Sequence, residues 1–151
     1  MILALDTSTL IDVMRSRDVN VRREFMGLDA ARAVVPVVVL HELISGADIG
    51  VSPQRERARI AEVLSELAVI ALESSDIEAT AAVRSDLHRR GRPIGDIDTL
   101  IAGQALARGW TVVTRNVRHF GRVEGLPLID WATGPQLLSV EAIAARVSDA
   151  G

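Results

Sequence analysis

Short apolar runs that stop at a polar residue and pass straight into helical periodicity are what most limit how this chain can fold. Ile2–Leu5 stops at Asp6, and Ala33–Val35 precedes a helical stretch from Val38 to Ile49. Val69–Leu72 precedes a stretch from Asp76 to Arg90 that ends at Gly91. Val112 and Val113 follow one from Asp96 to Ala107 that ends at Gly109, and Leu128–Trp131 closes the series. The intervening segments also read as helices: Thr7 to about Met14, Asn20–Ala31 with Val21, Phe25 and Leu28 at helical spacing, and Pro53 to about Leu67 behind the Ser52–Pro53 start signal. Strands alternating with helices of this length imply a largely parallel sheet covered on both faces, a three-layer α/β/α fold. In such a sheet, groups at the carboxyl ends of the strands converge on one crevice.

Composition narrows the field further. A chain of 151 residues is most simply one domain, able to bury roughly two-thirds of the surface its unfolded form exposes. The absence of cysteine excludes disulfides and thiolate metal sites. No apolar run approaches the roughly 20 residues that span a bilayer, and the chain enters a strand directly rather than through a charged and then apolar leader. A soluble, cytoplasmic protein without membrane contact is expected. The net charge of -3 argues against a generally basic coat, yet all 17 basic residues are arginine. Arginine suits bidentate phosphate contacts, although a base-composition bias produces the same usage. Two local clusters carry more weight: Arg89, Arg90 and Arg92 before one helix, and Arg115, Arg118 and Arg122 after the next strand. They would guide an RNA backbone if they rim the crevice, or form a solvated, ion-paired face if they do not.

The acids are the chemically suggestive residues. Asp96 and Asp98 sit at the mouth of an apolar helix in RPIGDIDTLIA, Asp6 ends the first strand, and Glu42 lies between Leu40, Leu43 and Ile44. Glu42 would be costly to bury without a cation or donor, and Asp98 at a helix N-terminus is favoured in its ionised form. Asp6 and Asp96 also suit helix capping, and for Asp96 the cap is the preferred reading over ligation. An all-oxygen set selects hard cations, magnesium or manganese, which can acidify a water and neutralise phosphate charge. His41, His88 and His119 show no zinc spacing and read as surface or structural residues. Phe25, Phe120, Trp110 and Trp131 are too few for a stacking platform; the tryptophans read as packing residues and Phe120 as a plug beneath the site.

The ordered segments LDTSTLID, VVLHELISGA and GRPIGDIDTLIAGQALARGWTVVTRNVRHFGRVEGLPLIDW together resemble the PIN-domain nucleases. Within them the resemblance is to the VapC-type toxin ribonucleases of bacterial toxin–antitoxin operons, over nearly the whole chain to Trp131. It implies a Mg2+- or Mn2+-dependent endoribonuclease in which Asp6, Glu42 and Asp98 are the first three acids. Asn116 stands where many members have a fourth, and Ser8 where the family often has asparagine. Thr7, Ser8 and Thr114 would support the site, and Arg92, Arg115 and Arg118 would contact RNA. A homodimer and a neutralising antitoxin whose segment covers the site are also implied. The nuclease domain is expected over 1–132, with a tail over 133–151 whose Leu138, Ile143 and Val147 are spaced to pack on the domain or on a partner. A housekeeping RNA-processing nuclease and a catalytically silent binding module are the alternatives. Phospho-receiver domains and dehalogenase-type phosphatases also gather acids around magnesium at strand ends, but they use a lysine, which this chain lacks.

Overall fold

The computed structural model describes residues 1–148. Five short strands, β1 (Leu3–Leu5), β2 (Ala33–Pro36), β3 (Ala68–Ile70), β4 (Thr111–Val113) and β5 (Leu128–Ile129), form one sheet in the order β3-β2-β1-β4-β5, with every pairing parallel. Among the described residues the helices are α1 (Thr7–Arg15), α2 (Val19–Met26), α3 (Val37–Ile49), α4 (Pro53–Leu64), α5 (Ile77–Arg89), α6 (Asp96–Arg108), α7 (Val117–Phe120) and α8 (Val140–Ser148). This is the expected α/β/α arrangement. None of these helices is long and apolar enough to cross a membrane.

The topology places the site. From β1 the chain builds outward through β2 to β3, then crosses back to lay β4 against the other side of β1. The order therefore reverses between β1 and β4, where Leu5 pairs with Val113 and the Asp6 amide donates to the Val113 carbonyl at 3.0 Å. In an open parallel sheet such a reversal leaves a crevice at the carboxyl ends of the two strands. Ala4, Leu5, Val112 and Val113 are fully buried, because strands in the middle of a parallel sheet are covered on both faces. The edge strand β3 is largely exposed.

Most helix boundaries follow local chemistry. Asp18 caps α2 by accepting from the amides of Asn20 and Val21. That helix stops at Met26 and does not run to Ala31 as its spacing predicted: Gly27 ends it, and Asp29 opens a separate 3-10 turn over Ala30–Arg32. Helix α4 ends at Leu64, short of Leu67, because the residues beyond it turn into β3. The strand expected over Val69–Leu72 pairs at Ala68–Ile70 instead. The single-turn α7 has no counterpart in the sequence reading.

Helix α6 is the structural spine beneath the crevice. Ile101 through Ala105 are consecutively buried, so this helix is covered nearly all round. Its contact with α5 is backbone-close at Gly103, where a Cβ would lie 2.4 Å from Thr80 Cα and 2.6 Å from the Thr80 nitrogen. Because that neighbour is backbone, it cannot rotate away, and overpacking of this kind costs about 1–3 kcal/mol. Gly103→Ala is accordingly expected to destabilise the protein by about 2 kcal/mol or more, read as a lower urea midpoint at unchanged slope; an unaltered midpoint would show that α5 and α6 can separate freely.

Candidate metal centre

Three elements deliver three carboxylates to the crevice. Asp6 leaves the end of β1, Glu42 lies on α3, and Asp98 sits in the first turn of α6. One oxygen from each lies within 4.8 Å of the others, and among the described residues this is the set of acids disposed to hold a cation. Asp6 is buried, while Glu42 and Asp98 are partly open to the crevice.

Hydroxyls orient these acids. Asp6 occupies the cap position of α1, but its Oδ2 accepts from Ser8 Oγ at 2.9 Å and from Thr114 Oγ1 at 2.7 Å. Each hydroxyl in turn accepts a backbone N–H of the loop after β4: Arg115 N to Ser8 Oγ at 3.0 Å, and Asn116 N to Thr114 Oγ1 at 2.8 Å. Two relays thus tie that loop to Asp6. Thr7 Oγ1 donates to Glu42 Oε1 at 2.6 Å, joining α1 to α3. Asp98 Oδ2 lies 3.5 Å from Asn116 Nδ2 and accepts from His119 Nδ1 at 3.0 Å.

The donor set fits a hard divalent cation. It consists of carboxylate oxygens alone, and the hydroxyl and imidazole donors around it fix those acids as outer partners of metal ligands do. The electrostatics agree, because burial first, and the charge of Asp98 after the opposing hydroxyl bond from Thr114, raise Asp6 from 3.8 to about 6. A carboxylate under that strain gains from a cation beside it.

Other residues singled out in the sequence take different places. Asp96 is exposed, 3.8 Å from Arg84, outside the three-acid set. The capping expected of it is corrected: Gly95 is the cap residue of α6 and Asp96 the first helical one. Gly95 has φ 95°, a conformation natural to glycine, and its carbonyl accepts both the amide and the hydroxyl of Thr99. Arg115 is engaged by acids outside the three-acid set, with Nη1 2.5 Å from Asp12 and Nε 3.2 Å from Asp130. Arg92, Arg118 and Arg122 lie near enough together that burial and then the charges of Arg92 and Arg118 lower the Arg122 guanidinium. Arg122 donates to the Pro93 carbonyl and Arg90 to the Arg122 carbonyl, so Arg90, Arg92, Arg118 and Arg122, drawn from both clusters, form one patch. His119, read as structural, touches an acid of the site. Its signal was its position three residues after Asn116, one helical turn away.

Comparison with known proteins places this geometry in a family. The PIN domain model matches residues 3–126. The chain belongs to the PIN-domain family. Within it, the chain is similar to two proteins named tRNA(fMet)-specific endonuclease VapC. It is 35% identical to that of Salmonella typhimurium over 84% of this chain and 96% of the relative, and 37% identical to that of Shigella flexneri over 85% and 96%. A solved structure, DNA-bound VapBC from Salmonella typhimurium, superimposes with a TM-score of 0.80 at 34% identity, covering 87% of this chain and 98% of that one.

The raised Asp6 carries a prediction for the metal-free protein. Since the folded value lies above the unfolded one, the folded chain holds an extra proton between about pH 4 and 6, and stability falls as pH rises through that window. The loss is on the order of 3 kcal/mol. Asp6→Asn should therefore raise the melting temperature in chelator at neutral pH and change it little near pH 4; equal shifts at both pH values would refute the burial account.

Proposed function

We propose that this protein is a metal-dependent endoribonuclease and the toxin of a toxin–antitoxin pair. The observation that carries the reading is the convergence of Asp6, Glu42 and Asp98 within 4.8 Å at the strand-order reversal of a PIN domain. Magnesium or manganese is the expected cation, held by those three acids, with Asn116 beside them. When bound, it supplies Lewis acidity at a phosphodiester and lowers the pKa of a water.

The chain's own residues have separable roles. Ser8 and Thr114 hold Asp6, Thr7 holds Glu42, and His119 and Asn116 face Asp98. Arg92 and Arg118, in the merged arginine patch, are the residues proposed to draw in the RNA backbone. Arg115, engaged by Asp12 and Asp130, is better suited to shaping the loop than to meeting RNA. Transfer RNA, and initiator tRNA first, is the substrate class proposed, because the two VapC relatives carry that specificity in their names.

The partner reading has a physical counterpart as well. A cleft of about 330 Å³ opens beside Glu42, lined by Ile11, Leu43 and Ile60 together with the charged Arg15, Arg55 and Glu56. A wall of mixed apolar and charged residues running up to an acidic site suits an antitoxin segment that packs there and reaches the carboxylates. A homodimer acting in the cytoplasm completes the proposal.

Cleavage of tRNA should require magnesium or manganese, stop with chelator, and leave 5′-phosphate and 3′-hydroxyl ends; cleavage surviving exhaustive chelation would overturn the metal reading. Asp6→Asn and Asp98→Asn should each lower the rate by orders of magnitude in folded protein. Asp96→Asn should change it by less than about threefold, since an exposed charge is well screened. A loss at Asp96 equal to that at Asp98 would make Asp96 a ligand.

Asn116 offers a gain-of-function counterpart. An amide contributes no charge to the cation, so Asn116→Asp should tighten manganese binding in calorimetric titration. No gain in affinity would place Asn116 outside the ion's surroundings.

A further inference from the structure

Beyond the family match at residue 126, the chain continues into α8, which is joined to the acidic site by two separate routes. The first is ionic. Arg146 on α8 places Nη1 2.5 Å from Asp130 Oδ2, and Asp130 is nearly fully buried just past β5. The other oxygen of Asp130 lies 3.2 Å from Arg115 Nε and accepts the Ala132 amide at 3.0 Å. The Arg115 guanidinium also pairs with Asp12 on α1 at 2.5 Å and lies 3.9 Å from Asp18. Arg115 is itself the residue whose amide enters the Ser8 relay to Asp6.

The second route is steric. At Gly121, just after α7, a Cβ would lie 2.7 Å from Val147 Cγ2 and 2.8 Å from Ile143 Cγ2, so two α8 side chains rest directly on the backbone there. Two residues earlier, α7 carries His119, which donates to Asp98. The loop from Thr114 to Gly121 is thus gripped from behind by one helix, and its front side touches two of the three acids.

We propose that α8 is a positioning element of the metal centre, and that Arg146 is the positioning residue through which it acts. Asp12, Asp18 and Asp130 place three negative charges around Arg115, which cannot balance them alone. Arg146 supplies the second cation, allowing Arg115 to stay between Asp12 and Asp130 rather than being drawn towards one of them. Removing it leaves Asp130 with Arg115 and the Ala132 amide, enough to keep the carboxylate paired, while the loop loses its fixed setting. The consequence falls on the acids that the loop orients. Outer partners of metal ligands typically matter about 10- to 100-fold in affinity or activity, and Arg146 acts one step further out.

This inference rests on the metal-dependent reading proposed above, and its test separates the two. Manganese affinity by calorimetry, and kcat and KM for tRNA cleavage, would be measured on the full chain and on Arg146→Gln and Arg146→Lys. The expected result for Arg146→Gln is about tenfold weaker manganese binding and a comparable fall in kcat, with KM for RNA within about twofold. Arg146→Lys, which keeps the charge but not the fork, should recover part of both. Unchanged manganese affinity in a folded Arg146→Gln protein overturns the proposal. Should Arg146→Gln fail to fold, Ile143→Ala tests the steric route instead, with weaker manganese binding expected and unchanged binding overturning it. A native chain that binds no manganese would overturn the metal reading itself, and with it this inference.

Discussion

Bringing three carboxylates together at one corner, with Asp6 buried, is electrostatically unfavourable, and the surrounding structure is arranged to sustain it. Asp6 bears most of the strain, held above its ordinary pKa by burial and by Asp98. The hydroxyls of Ser8 and Thr114 relieve part of this but supply no charge. A cation held there, as proposed, would neutralise the corner while leaving the acids ionised. The sheet topology makes the corner possible, because β1 and β4 are neighbours in space yet far apart in the chain.

The same constraint explains the network behind the loop after β4. A loop that carries relays to Asp6 and a histidine to Asp98 must hold its position against repulsion between those acids. Arg115 serves as its anchor, and Asp130 joins that anchor to the last described helix. Asp130 is buried here between two guanidinium groups, the pairing that a buried charge requires. Arg115 therefore belongs to the scaffold of the site, while Arg92, Arg118 and Arg122 lie together in a separate basic patch.

Much of this was legible in the residues. The parallel sheet followed from apolar runs feeding helices, and the ordered segments around Asp6, Glu42 and Asp98 marked the acids that the fold brings together. The remainder depended on partners far apart in sequence. Nothing local joins Asp12, Arg115, Asp130 and Arg146, and Asp130 lay inside Leu128–Trp131, the segment read as the last strand, which pairs only over Leu128–Ile129. The single turn of α7 is too short to show periodicity, which hid the approach of His119 to Asp98. Asp96 was misplaced because aspartate and glycine both suit a cap, and the backbone at Gly95 decided between them.

Anomalous diffraction from crystals soaked in manganese tests the central claim most directly. The account predicts a manganese peak between the carboxylates of Asp6, Glu42 and Asp98, lost in Asp98→Asn crystals treated in the same way. No peak there at saturating manganese, or a peak that persists without the Asp98 carboxylate, would contradict it.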